Sequence, residues 1–267
     1  MAGLTGKSIS SAYKSLLRVD DDTNGIDTGA TVITDGEGTK SALFLSDDTI
    51  SVRPQNDDSI VTFGVRAKGG TSLLTVDTTN SVVKAGVGAF NVLTQYAHFG
   101  ITDSQTGSFA TGTHHPVPFY TNTHLLGSVQ DNITFGTGTD PATSFTTAAG
   151  DGTNGSDLVP MMWYVPDNIS IDAVYSLEGA DNATGDTTRF HLMSYSFSSG
   201  STSALTSGTL LAHSTDQVNS GSEQGYLNTW TVDSASVASG RVILAFFEYD
   251  SANANYSMSI TVKYHLV

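Results

Sequence analysis

The last residues of the chain, Tyr256–Val267, alternate strictly. Met258, Ile260, Val262, Tyr264 and Leu266 fall on one side of an extended backbone, and Ser259, Thr261, Lys263 and His265 on the other. Period-two burial of this kind specifies an antiparallel strand with one face on a core and the other in water. Ile169–Leu177 repeats the pattern, with Ile169, Ile171, Ala173, Tyr175 and Leu177 on one side. Arg189–Phe197, Leu205–His213, Leu227–Val232 and Val242–Tyr249 read as further strands, and Met161–Val165 is an apolar run closed by Pro166-Asp167. The loops Ala180–Asp186, Ser198–Ser203, Ser214–Gln224 and Asp250–Asn255 divide them. Such a series predicts an antiparallel β-sandwich, jelly-roll-like, over residues 155–267. Composition closes off the helical alternative. Gly, Ser and Thr supply 27, 33 and 36 of the 267 residues, and Glu occurs four times against twenty-two Asp. These residues weaken a helix while Thr suits strands. With 38% apolar residues the chain is not a disordered one either. The fold class expected is all-β.

The first third reads differently. Thr31–Ile33, Ala42–Leu45, Thr49–Arg53, Ile60–Ala67, Ser72–Val76 and Ser81–Lys84 are short strand candidates separated by clusters such as Asp35-Gly36-Glu37-Gly38 and Lys68-Gly69-Gly70. A single copy of so thin a ladder buries little surface. It gains a core by wrapping with identical copies about an axis, so residues 31–90 are expected to form a trimeric β shaft. Before it, Ser11–Arg18 has apolar Tyr13, Leu16 and Leu17 at helical spacing. Two turns need a partner to be stable, which makes residues 1–30 a docking arm. Residues 91–154 are expected to be a neck or connecting region, or to hold the first strands of the next domain.

Charge bounds the partners. Residues 1–84 hold eight Lys and Arg against eleven Asp and Glu, whereas residues 85–267 hold three against fifteen. The formal net charge of −15 repels phosphate backbones and anionic membranes, so neither nucleic acid nor a membrane surface is an expected partner. The longest stretch without charge, Ser104–Gln130, is rich in Thr, Asn, Gln and His and is no membrane span. No apolar leader follows Met1, and no cysteine occurs. Both fit synthesis in a reducing cytoplasm, and the second removes thiolate chemistry.

Three segments carry a resemblance: KSLLRVDDDTNGID, ITDGEGTKSALFLSDDTISVRPQ and GGTSLLTVDTTNSVVKAGVG. The element from Thr34 to Leu43 and the element from Leu74 to Gly86 resemble N-terminal and shaft segments of fibre-like virion proteins of tailed, particularly marine, bacteriophages. The resemblance spans about residues 10–90. VPDNISIDAVY and the closing VKYHLV also look like C-terminal domains of marine phage structural proteins. The resemblance implies a non-enzymatic virion protein that assembles with itself as a homotrimer. It docks to other virion proteins through the N-terminal region and meets a host surface glycan or protein at its distal end. A tail fibre or spike is the leading reading, and a capsid decoration or head-fibre protein the alternative. A polysaccharide depolymerase is a further one.

Motifs that carry chemistry are few. Gly6-Lys7-Ser8 copies the end of a P-loop, but Met1 stands where the loop needs its first Gly. Asp20-x-Asp22-x-Asn24-Gly25 opens like a calcium loop, yet Thr31 occupies the position of the closing Glu. His114, His115 and His124 cluster; on a three-fold axis one imidazole per chain binds a metal ion, and otherwise they are exposed or hydrogen-bonded loop residues. No nucleophile elbow, HExxH or GxGxxG occurs. No catalytic residue and no cofactor are expected. Tyr226 and Trp230, beside the Ser214–Gln224 loop, are either core or a recognition surface able to stack on a sugar or peptide.

Overall fold

A computed structural model describes residues 16–21, 23–86, 90–105, 110–119, 133–148, 155–181, 184–221, 223–250 and 255–267. The chain divides into two compact units, residues 1–93 and 94–267.

The first unit is two four-stranded antiparallel meanders. One contains β1 (Arg18–Val19), β2 (Thr31–Thr34), β3 (Lys40–Leu45) and β4 (Ile50–Val52); the other contains β5 (Phe63–Arg66), β6 (Ser72–Asp77), β7 (Val82–Ala85) and β8 (Phe90–Asn91). Asx chemistry makes the turns. The Asp35 carboxylate accepts the N–H groups of Glu37 and Thr39 at 2.9 and 2.8 Å, and Gly38 takes the positive φ of 84° that the turn needs. Asp21 likewise accepts from Thr23 and Asn24, so the calcium-like stretch is a turn held by its own backbone. Among the described residues of this unit, the only buried apolar side chains are Val32, Ile33 and Phe44. Neither hydrophobic cluster of the molecule draws on it. The expected helix Ser11–Arg18 lies mostly outside the described residues, and Arg18 itself is in β1, paired with Thr34.

The second unit is a jelly-roll sandwich. Its principal strands are β9 (Thr94–Gln105), β10 (His115–Val117), β12 (Ile169–Asp181), β13 (Thr187–Phe197), β14 (Leu205–His213), β16 (Glu223–Thr229), β19 (Arg241–Tyr249) and β20 (Asn255–Leu266). Short pieces β11 (Trp163–Tyr164), β15 (Gln217–Val218), β17 (Thr231–Val232) and β18 (Ser236–Val237) extend the edges. One sheet runs β10-β19-β13-β14-β17 and the other β16-β12-β20-β9. Only the β13–β14 hairpin joins two successive principal strands within one sheet; every other connection crosses between the sheets, the jelly-roll pattern. Of the two expectations for residues 91–154, the described part of the segment follows the second. It supplies β9 and β10, because Ala97, Phe99 and Ile101 alternate inward as any sandwich strand does.

Two cores form. Phe99, Ile171, Val174, Phe190, Leu192, Ile243, Phe247, Ile260 and Val262 pack between the sheets. The far side of the β10-β19-β13-β14 sheet holds a second cluster, in which Met193, Tyr195, Leu244 and Phe246 meet Ile133, Phe135, Phe145, Leu158 and Met161. Residues 133–148, the short helix α1 (Gly155–Leu158) and the 3-10 turn Val159–Met161 cover that face. Strand β19 is thus buried on both sides, which is why VILAFF is continuously apolar rather than alternating.

Candidate recognition and assembly surfaces

Strand β12 decides what the sandwich shows to solvent. Its register against β20 shifts between Ile171 and Ala173, a β-bulge. The extra residue reverses every side chain beyond it. Ile169 and Ile171 point inward as expected, but Val174, Ser176, Glu178 and Ala180 follow them into the interior. Tyr175 and Leu177 turn outward, which corrects the expectation that Ile169 through Leu177 share one buried face. Leu177 lies directly opposite Leu227 of β16. The two are 59% and 75% exposed and form an apolar pair on the open face of the β16-β12-β20-β9 sheet. Tyr175 faces Thr261, and Tyr96 faces Lys263 along the same face. A hollow of about 430 Å³ beside the pair is floored by Gly179 and Gly225.

The aromatics singled out from sequence separate. Trp230 is buried, stacks on Phe190 with ring centroids 5.7 Å apart, and donates its indole N–H to Ser176 Oγ at 2.9 Å. It belongs to the core and is withdrawn from any recognition surface. Tyr226 is half-buried and donates its hydroxyl to Gln224 Oε1, which also accepts the Ser220 N–H at 2.8 Å. It ties the Ser214–Gln224 loop to β16.

Of the two readings of the histidine cluster, His114 and His115 follow the hydrogen-bonded one. His114 and His115 are buried within the sandwich, so neither ring reaches a surface where an axis could run. His114 donates Nε2–H to the Gly138 carbonyl at 2.8 Å, and His115 donates to the Ala110 carbonyl at 3.0 Å. His124 lies outside the described residues. The His114 ring meets His191 edge to face at 4.8 Å, and among the described residues the buried Nδ1 atoms of both find no hydrogen-bond partner. Burial pushes both rings below the usual imidazole range, His191 to about 3, with the neighbouring His114 adding to the effect. Glu248 Oε2 lies 3.7 Å from His114 Nδ1 and 3.3 Å from the Arg189 guanidinium, which also holds Asp216 at 2.6 Å. Among the described residues no group of three or more His, Cys, Asp or Glu could hold a metal ion.

A buried polar network was missed by sequence reasoning. Three of the four loops that divide the sandwich strands converge at one end. Gly185 N–H donates to the Asn219 carbonyl at 2.7 Å, and Asn219 N–H returns a bond to the Asp186 carbonyl at 2.8 Å. Asp186 accepts the Asp250 N–H at 3.0 Å and the Tyr256 hydroxyl. Thr188 Oγ1 lies 3.0 Å from both oxygens of Glu178. Burial lifts the Glu178 carboxyl to about 7 and the Asp186 carboxyl to about 6, the latter helped by Asp250. Both carboxyls are closed off from solvent, so they do not form the open, paired-carboxylate cleft that glycoside hydrolysis uses. Nearer the surface, Asp181 and Glu223 face each other across β12 and β16, and this raises the Glu223 carboxyl. The fourth loop, Ser198–Ser203, follows the far end of β13, where Thr147 N–H donates to the Thr202 carbonyl at 2.6 Å.

The second unit is thus a jelly-roll β-sandwich with one sheet covered and the other open. No protein-family model and no curated protein matches the chain. Among solved structures, the Eiger TNF structure from S. frugiperda is similar at a TM-score of 0.30 and 10% identity, over 65% of this chain and 93% of that one.

Proposed function

We propose that this chain is a non-enzymatic bacteriophage virion protein, a homotrimeric tail fibre or spike-like appendage. The N-terminal region docks to other virion proteins, residues up to about 93 assemble as a thin β shaft, and the sandwich is the distal domain that meets a host surface glycan or protein. One observation carries the reading: the two units differ in self-sufficiency. The sandwich closes two apolar cores of its own, while the first unit has eight short strands and no hydrophobic cluster among its described residues. A chain with a finished head and an unfinished stem is built for assembly through the stem. Three copies present three open sheet faces, each with its Leu177–Leu227 pair, and weak single contacts multiply through avidity.

The test is native mass together with adsorption. The purified chain is expected at three times 27.9 kDa and is expected to block attachment of the parent phage to its host. A Leu177→Asp/Leu227→Asp protein of unchanged mass is expected to block less well. A monomer at 27.9 kDa removes the fibre reading, and an intact trimer that neither binds host cells nor blocks attachment removes the host-recognition role.

A further inference from the structure

The β5–β8 sheet inverts the usual relation between burial and polarity. Pairing places Phe63, Val76 and Val83 in one lateral row, and Val65, Leu74, Ala85 and Phe90 in the next, all on one face. The other face carries Gly64, Thr75, Lys84 and Asn91, with Leu73, Asp77 and Val82 beside them and Arg66, whose Nε lies 3.9 Å from the Cβ position of Gly64, joining them across a bulge. The buried residues of β6 are nevertheless Thr75 and Asp77, on the polar face. Asp77 is satisfied there by Lys84 Nζ at 2.8 Å and by the Asn80 backbone and side chain at 3.0 and 2.9 Å. On the apolar face Phe63 and Val65 are each 42% exposed and Phe90 67%. No described residue of this unit builds a hydrophobic cluster over them. A sheet keeps such a face wet only when something outside the chain segment covers it.

Resting on the fibre reading for the number of copies, we propose that the apolar face of β5–β8 is the self-association surface. Each copy lays its Phe63–Val65–Phe90 face against the same face of the others. Two features select copies of this chain over a different occupant. The face carries no charged side chain, so identical copies meet there without repulsion. The unit that bears it also carries the smaller net charge, with eight basic against eleven acidic residues, whereas the remainder holds three against fifteen. Identical acidic chains come together with least repulsion where basic residues most nearly balance the acidic ones.

The absence of cysteine makes the test clean, because one substitution introduces the only thiol. Val65→Cys places it on the apolar face, and Leu73→Cys places it on the opposite face at a comparably exposed position. Under mild oxidation of the full-length protein, V65C is expected to form covalent dimers between chains and L73C to remain single. Val65→Asp is expected to drop the native mass to 27.9 kDa, while Leu73→Asp leaves it unchanged. If wild type is an oligomer but V65D keeps its mass, or V65C and L73C cross-link equally, the copies meet elsewhere. This surface is then wrong, while the fibre reading stands. If wild type is itself a monomer, both fall together.

Discussion

Burial at single residues sets how this protein responds to pH. The folded state holds the Glu178 carboxyl at about 7, whereas the unfolded chain releases its proton near 4.5. Between those values the native state binds the extra proton, so its stability falls as pH rises. The contribution is fully present below about 4.5 and lost by about 7, and a shift of that size corresponds to roughly 3 kcal/mol. Asp186 acts in the same direction between 3.8 and about 6. His191 opposes them. Its folded value is depressed from 6.5 to about 3, so its contribution is present above 6.5 and is lost as pH falls. Glu178→Gln keeps shape and neutrality while removing the first effect. Urea melts of E178Q are expected to flatten the loss of stability between pH 5 and 7 and to expose the acid-side loss caused by His191. A Gln variant with the wild-type slope would show that the proton resides elsewhere. Packing sets a second residue-level limit at Gly208. A Cβ there would lie 2.7 Å from both the Thr143 Cα and the Tyr195 ring, where residues 143–145 run antiparallel beside β14. Gly208→Ala is expected to cost about 1–3 kcal/mol in the same melts.

At the scale of elements, β12 shows what alternation can and cannot reveal. Ile171 and Leu177 share a parity in the sequence, and a bulge-free strand would bury both. The structure buries Ile171 and exposes Leu177. Ile171→Ala is therefore expected to cost about 2–5 kcal/mol, and Leu177→Ala to stay within about 0.5 kcal/mol, measured by thermal denaturation. Similar losses at the two sites would argue that the bulge is absent in solution. Nothing local announces it, because Asp172 suits an exposed position in either register and the residues after it alternate equally well both ways. For the same reason Glu178 reads as an ordinary surface carboxylate in sequence and gives no hint of the network it enters. Where no register change intervened, the strands were legible: β20 alternates as its sequence says, and the unbroken VILAFF run marks β19. His114 and His115 misled for a related reason. In a Gly- and Thr-rich stretch they read as loop residues, and only the tertiary pairing of β10 with β19 buries them. Trp230 needed the same long-range information, since its neighbours are polar while its ring lies on Phe190.

The whole molecule joins two units whose stability has different origins, and that difference is measurable in one heating scan. The sandwich has a core between its sheets and a second beneath residues 133–148 and 155–161, both internal to residues 94–267. Its unfolding is a property of the single chain and should not depend on protein concentration. On the proposed self-association, the β1–β8 unit depends on the covering of its apolar face. If identical copies cover it, folding there is linked to association, and mass action raises its apparent stability with total protein. Calorimetry of the full-length protein is therefore expected to resolve two transitions. The one assigned to residues 1–93 should move upward on a tenfold increase in concentration, while the other stays in place. Assignment follows from Ile260→Ala, whose side chain is fully buried in the sandwich core. That substitution should lower only the concentration-independent transition. Val65→Asp should lower only the concentration-dependent one and abolish its dependence. A single cooperative transition at every concentration would mean that the sandwich and the strands before it stabilise each other, and the division of labour argued from their burial would not hold.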